Sequence, residues 1–150
     1  MLFLLLLPFG AHAQELTPNY SCLMLGDSIA SGVNTALVSK GIRCSSITKK
    51  PKKTLWISEQ APSEYFDTVI VSAGSNDREN SSLPSPLKKL RSKPHARLVL
   101  FLIPYNRDLA SSFVSVAGSS QDVVLDLRKI PSRDDVHPDY NKTVKAIFSL

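Results

Sequence analysis

The chain has three histidines, and only one of them stands among other groups able to do chemistry. His137 lies in Asp134-Asp135-Val136-His137-Pro138, with a carboxylate three residues ahead of it. His12 falls in an uncharged N-terminal stretch, and His95 in the basic turn Lys93-Pro94-His95-Ala96-Arg97. Imidazole titrates near neutrality, so His137 is the natural general base. Asp134 is spaced to accept the ring N–H and fix its tautomer. A base of this kind activates a hydroxyl, and the candidate is Ser28 in Gly26-Asp27-Ser28-Ile29. Ser28 directly follows a short apolar run, at the start of a helix, where its own backbone N–H faces an incoming oxyanion. Asn76, in Ala73-Gly74-Ser75-Asn76-Asp77, offers a side-chain amide as a second donor. Nucleophile, base, orienting carboxylate and oxyanion donors together point to acyl transfer.

These groups meet only if the fold brings three distant segments to one edge. The apolar runs Cys22–Leu25, Thr68–Ser72, Arg97–Ile103 and Asp122–Leu127 read as strands, with Gly41–Cys44 as a weaker one. Near-continuous rather than alternating apolar residues indicate burial on both faces, and hence a parallel sheet. Helices are expected over 28–39, 54–66, 84–93, 107–119 and 138–149; the last carries Val144, Ile147 and Phe148 at helical spacing. Strand and crossover repeated in this way predict a three-layer α/β/α sandwich. Ligands of such sheets sit beyond the carboxyl ends of the strands, which is where the three polar clusters fall.

The clusters resemble the blocks of the SGNH/GDSL hydrolase family. Gly26-Asp27-Ser28-Ile29 resembles its GDS(L/I) nucleophile block, Gly74-x-Asn76-Asp77 its G-x-N-D block, and Asp134-x-x-His137-Pro138 its D-x-x-H-P block. Each block is short, and the signal lies in finding all three in order across nearly the whole chain. The resemblance implies a flavodoxin-like fold of about five parallel strands, and ester hydrolysis through an acyl-serine intermediate. It implies Ser28 as nucleophile, His137 as base and then acid, Asp134 as the orienting carboxylate, and the Ser28 amide and Asn76 as oxyanion donors. Gly26, Asp27, Gly74 and Asp77 would support the loops that carry them. No metal or cofactor is implied.

One block departs from the family pattern. A glycine after the second strand normally provides a third oxyanion N–H, and Gly41-Ile42-Arg43-Cys44-Ser45-Ser46-Ile47-Thr48 has none there. Ser45 or Ser46 stands in as the expected main-chain donor, because any residue that tolerates the turn can supply an N–H. The competing expectations are a lysophospholipase or acyl-thioesterase of the same family, a non-catalytic relative that binds a glycan or envelope component, and a flavodoxin-like binding domain.

Composition sets the remaining bounds. At 43% hydrophobic and 21% charged residues, the 150-residue chain is globular and of single-domain size. Residues 1–13, MLFLLLLPFGAHA, read as a signal peptide cut after Ala13, which leaves a catalytic domain over 14–150 and an exported protein, periplasmic or secreted. Its apolar run is too short to span a bilayer. The basic run Lys49–Lys53, with Lys88, Lys89, Arg91 and Lys93, reads as a solvated face, with weak attraction to an anionic envelope surface as the alternative. No aromatic residues interleave it, so nucleic acid is not an expected partner. A small-molecule, polysaccharide or lipid ester is the expected substrate of a monomer. A Cys22–Cys44 disulfide is chemically allowed in an exported protein, but cross-strand bridges inside a sheet are geometrically awkward, so two buried thiols are the expected state. Asn19, Asn80 and Asn141 begin N-x-S/T sequons.

Overall fold

A computed structural model of the chain describes residues 20–77, 83–105, 109–118 and 122–150. The leader over 1–13 with its cleavage point, His12, and the sequons at Asn19 and Asn80 lie outside the described residues, as do the outer residues of the helix expected over 107–119.

Five parallel strands form one sheet in the order β2-β1-β3-β4-β5: β1 Cys22–Gly26, β2 Ser45–Thr48, β3 Tyr65–Ser72, β4 His95–Ile103 and β5 Val123–Asp126. Between and after them run α1 Ser28–Val38, α2 Thr54–Gln60, α3 Pro84–Ser92, α4 Ala110–Ala117 and α5 Tyr140–Ile147. This is a flavodoxin-like three-layer sandwich, with the reversal of strand order at β1/β3. The pleat sends Leu23 and Leu25 of β1, with Val99, Phe101 and Ile103 of β4, toward α2, α3 and α4. Met24, Leu100 and Leu102 go the other way, onto Ile29, Val33 and Leu37 of α1 and Val144 of α5. Both faces are covered, which is why these strands carry no polar alternation.

The second strand is not where its apolar content placed it. Gly41 belongs to the exit from α1: it has φ 82°, its N–H bonds the Val38 carbonyl, and the Ile42 N–H reaches back to Leu37. Pairing with β1 then starts at Ser45, opposite Leu23, and ends at Thr48, opposite Gly26. As an edge strand with two exposed serines, β2 is selected by backbone pairing rather than by apolar burial. Helix α2 is also shorter than expected, because Pro62 forces Ala61 into an extended conformation (ψ 124°). The chain thereby reaches β3 at Tyr65.

That shift corrects the expectation of two free thiols. Cys44 sits just before β2, outside the ladder and level with Cys22, and the two form a disulfide across a Cα–Cα distance of 4.7 Å. A bridge from a strand end escapes the geometric penalty of one between two paired ladder positions, and the separation lies in the ordinary bridging range. Among the described residues no helix is long and apolar enough to cross a membrane.

Two glycines allow contacts that a side chain would block. A Cβ on Gly26 (φ 151°) would stand 2.1 Å from the Ser72 carbonyl oxygen of the neighbouring strand. A Cβ on Gly32 would stand 2.1 Å from Cζ of Tyr140, the first residue of α5. The Tyr140 ring therefore lies directly on the α1 backbone and sets the distance between the helix that begins at Ser28 and the helix that follows His137. Gly32→Ala should destabilise the protein by about 1–3 kcal/mol through overpacking, despite the usual gain from removing a helix-interior glycine. Tyr140→Ala in the same background should recover part of that loss. Urea unfolding of the two variants checks this, and a neutral or stabilising Gly32→Ala would contradict it.

Candidate active site

The turn that carries Ser28 is built around a buried carboxylate. Asp27 is fully buried and caps α1: its Oδ1 accepts from the Ile29 N–H at 3.0 Å and from the Ser72 hydroxyl at 3.0 Å. Its Oδ2 accepts from the Ser75 hydroxyl. Burial pushes the Asp27 carboxyl above its ordinary range, while the bonds from Ser75, Ser72 and the Ile29 amide work against that rise. Ser28 follows as the first residue of α1, half-buried, with its N–H in the turn where helix amides have no intrahelical acceptor.

His137 reaches Ser28 from a loop closed on itself. Ser132 and Pro138 form an antiparallel bridge, and the Asp139 N–H bonds the Pro131 carbonyl at 2.8 Å. Inside the loop, Asp134 Oδ1 accepts the backbone N–H of Val136 at 3.1 Å and of His137 at 2.7 Å. The Ser132 hydroxyl donates to the His137 carbonyl at 2.8 Å. Asp135 takes a left-handed conformation (φ 59°), which an aspartate tolerates better than most residues. Tyr105, at the end of β4, ties the loop down by donating to the Ile130 carbonyl at 2.6 Å.

The result is a continuous relay. Asp134 Oδ2 lies 2.7 Å from His137 Nδ1, and His137 Nε2 lies 3.1 Å from Ser28 Oγ. The bonds from the His137 ring, the His137 amide and the Val136 amide hold the Asp134 carboxyl far below its usual range. An ionised Asp134 can only accept, so Nδ1 carries the ring proton. Nε2 of the neutral ring is then the acceptor of the Ser28 hydroxyl proton. The structure thus brings together Ser28, at the head of α1, with His137 and Asp134 of a single loop more than 100 residues later. His95, by contrast, is the exposed first residue of β4, opposite Tyr65.

The oxyanion side differs from expectation. Gly74, Ser75, Asn76 and Asp77 form a turn closed by the Asp77 N–H on the Gly74 carbonyl at 3.0 Å. Within it, Ser75 bonds Asp27, while the Asn76 amide donates to the Lys52 carbonyl at 3.1 Å and the Ser75 hydroxyl at 3.2 Å. Asp77 Oδ2 accepts the Thr54 N–H at 3.0 Å and the Thr54 hydroxyl at 2.7 Å, and so caps α2 from outside. Asn76 must release one of its partners to face an oxyanion. Ser46 is not brought to the site: it is exposed, within β2 opposite Met24, two residues short of the strand end that is level with Gly26. The segment that follows that end is Lys49–Lys53, whose first N–H bonds the Gly26 carbonyl at 3.0 Å.

Three positioning residues have no local sequence signal. Ser72 and Ser75 meet Asp27 from 45 and 48 residues away, and Tyr105 reaches Ile130 from 25. Ser132 does carry a weak one, since a serine hydroxyl commonly accepts the backbone N–H two residues on, here that of Asp134 at 3.3 Å. A cleft of about 150 Å³, lined by Ser75, Pro104, Tyr105, Asp135 and Val136, opens between the Asn76 turn and the His137 loop. A broader depression of about 510 Å³ runs past Ser132, Asp134, His137 and Tyr140; Ser28 is in the lining of neither, and His137 only in that of the larger. Comparison of the chain with family models, with curated proteins and with solved structures gives no match.

Asp134→Asn tests the relay. The amide oxygen can still accept the two loop N–H groups, so the loop keeps its shape, but the amide NH2 then faces Nδ1. The ring is driven to the tautomer that presents N–H to Ser28, so any hydrolysis that depends on Ser28 should slow about 10³–10⁴-fold. The folded-state pKa of Asp134 lies below the ordinary 3.8. The pair's contribution is therefore full above that value and is lost only as pH falls through the depressed one. A wild-type pH–rate profile should accordingly show no acid limb from Asp134 above pH ~4.

Proposed function

We propose that the protein is a serine esterase of the SGNH/GDSL type that hydrolyses short-chain carboxylic esters. The observation that carries this reading is the Asp134–His137–Ser28 relay, with links of 2.7 and 3.1 Å. Ser28 Oγ attacks the ester carbonyl carbon while its proton passes to His137 Nε2. The tetrahedral oxyanion forms against the Ser28 N–H, joined by Asn76 once its amide leaves the Ser75 hydroxyl. Collapse breaks the C–O bond, the departing alkoxide takes the proton from Nε2, and the alcohol leaves an acyl-Ser28 ester. Water then gives a proton to Nε2 and attacks the acyl carbon. Return of that proton to Ser28 Oγ releases the carboxylic acid.

The 150 Å³ cleft between Ser75 and Val136 supports a short acyl group over the long chain of a lysophospholipid or fatty acyl thioester. A non-catalytic protein of the same fold is the competing reading, and it draws on the occupied Asn76 amide. Turnover decides between them. Purified protein should hydrolyse p-nitrophenyl acetate, with kcat/KM about tenfold or more above that for the octanoate ester. Ser28→Ala and His137→Ala should each abolish the enzymatic rate. Equal rates in wild type and Ser28→Ala would exclude the esterase reading, and a preference for octanoate would exclude the short acyl group.

A further inference from the structure

Lys49, Lys50, Lys52 and Lys53 fall within five residues, and with them set aside the chain is within one charge of neutral. As sequence, the run is a solvated loop. In the fold it follows β2 at the carboxyl edge of the sheet, the edge that carries Ser28. Its backbone is pinned beside the site at three points. The Lys49 N–H bonds the Gly26 carbonyl, the Lys52 carbonyl accepts from the Asn76 amide, and Thr54, just past the loop, is held by Asp77. Pro51 stiffens the middle.

The ammonium groups are left outward. Lys49, Lys50 and Lys53 are exposed, Lys52 places Nζ 5.6 Å from the Trp56 ring centroid, and among the described residues none of the four is in an ion pair. The His137 loop is of mixed charge: Asp134 is paired with His137, Asp139 stands 3.9 Å from Lys142, and Arg133 lies among them. Asp135 is the charged residue that lines the small cleft. A substrate that crosses the site therefore passes from a cleft with one carboxylate to a β2 loop with four lysines.

We infer that the ester this site takes carries its negative charge on the alcohol part. This rests on the esterase reading. The short uncharged acyl group enters the cleft beside Asp135, and the anionic alcohol part lies over Lys49–Lys53. A carboxylate, sulfate or phosphate group meets the same requirement, because the lysines act as point charges rather than as a shaped pocket.

Two nearly isosteric acetate esters test the inference: those of 4-hydroxybenzenesulfonate and of 4-hydroxybenzenesulfonamide, each corrected for its hydroxide-catalysed rate. Wild type should favour the sulfonate ester about tenfold in kcat/KM at low salt, and the preference should shrink toward parity near 0.5 M NaCl, where the Debye length is only about 4 Å. The triple variant Lys49→Gln, Lys50→Gln, Lys53→Gln should lose the preference at low salt. Ser28-dependent hydrolysis of both esters at equal, salt-independent rates would overturn the anionic substrate and leave the esterase reading intact. Turnover of neither ester would overturn both.

Discussion

A carboxylate held out of water by the two strands beside it is the constraint on which the rest of the site depends. Asp27 is fully buried, and desolvation works against its charge. Its hydrogen bonds to the Ile29 amide, Ser72 and Ser75 offset part of that cost. Each bond also does positional work. The first starts α1 and places Ser28 at its head, the second joins β1 to β3, and the third fixes the Asn76 turn beside the nucleophile. Gly26 makes the arrangement possible, since only a residue without Cβ can pass this close to the Ser72 carbonyl. The block Gly26-Asp27-Ser28 is thus a backbone contact, a helix cap and the proposed nucleophile in three successive positions.

The base arrives independently. Nothing on β1 or β3 holds His137; its place is fixed by the closed loop 131–139, by Tyr105 beneath it, and by α5 packing on α1. Two rigid bodies meet at the 3.1 Å contact between Nε2 and Oγ, and the Tyr140 ring on Gly32 sets their separation. The oxyanion side is arranged differently. Its residues are tied to one another and to the basic loop through the Asn76 amide.

Much of this was legible in the sequence. The four strongest apolar runs became strands because a parallel sheet buries both faces, and the residues after them became the site because that sheet presents its carboxyl ends together. What was hidden has physical causes. The edge strand β2 has no apolar signature, so apolar content marks Gly41–Cys44 instead, and both the expected place of Ser46 and the expected free thiols depend on that register. Helix α2 ends at Gln60, ahead of Pro62, where the expected helix runs on to residue 66. Contacts such as Ser75 with Asp27 join residues 48 positions apart, and no local pattern encodes them. The basic loop looked like an ordinary solvated face because charge alone does not say which edge of a sheet it will occupy.

We propose that His137 and Asp134 make Ser28 a nucleophile unlike the other serines of the chain. Reaction with a fluorophosphonate measures this without knowledge of the substrate, since Ser28 Oγ displaces fluoride at phosphorus only when its proton can pass to a base. Intact mass and peptide mapping should find a single adduct, on Ser28, absent from His137→Ala. An unmodified Ser28, or labelling that survives the loss of His137, would contradict it.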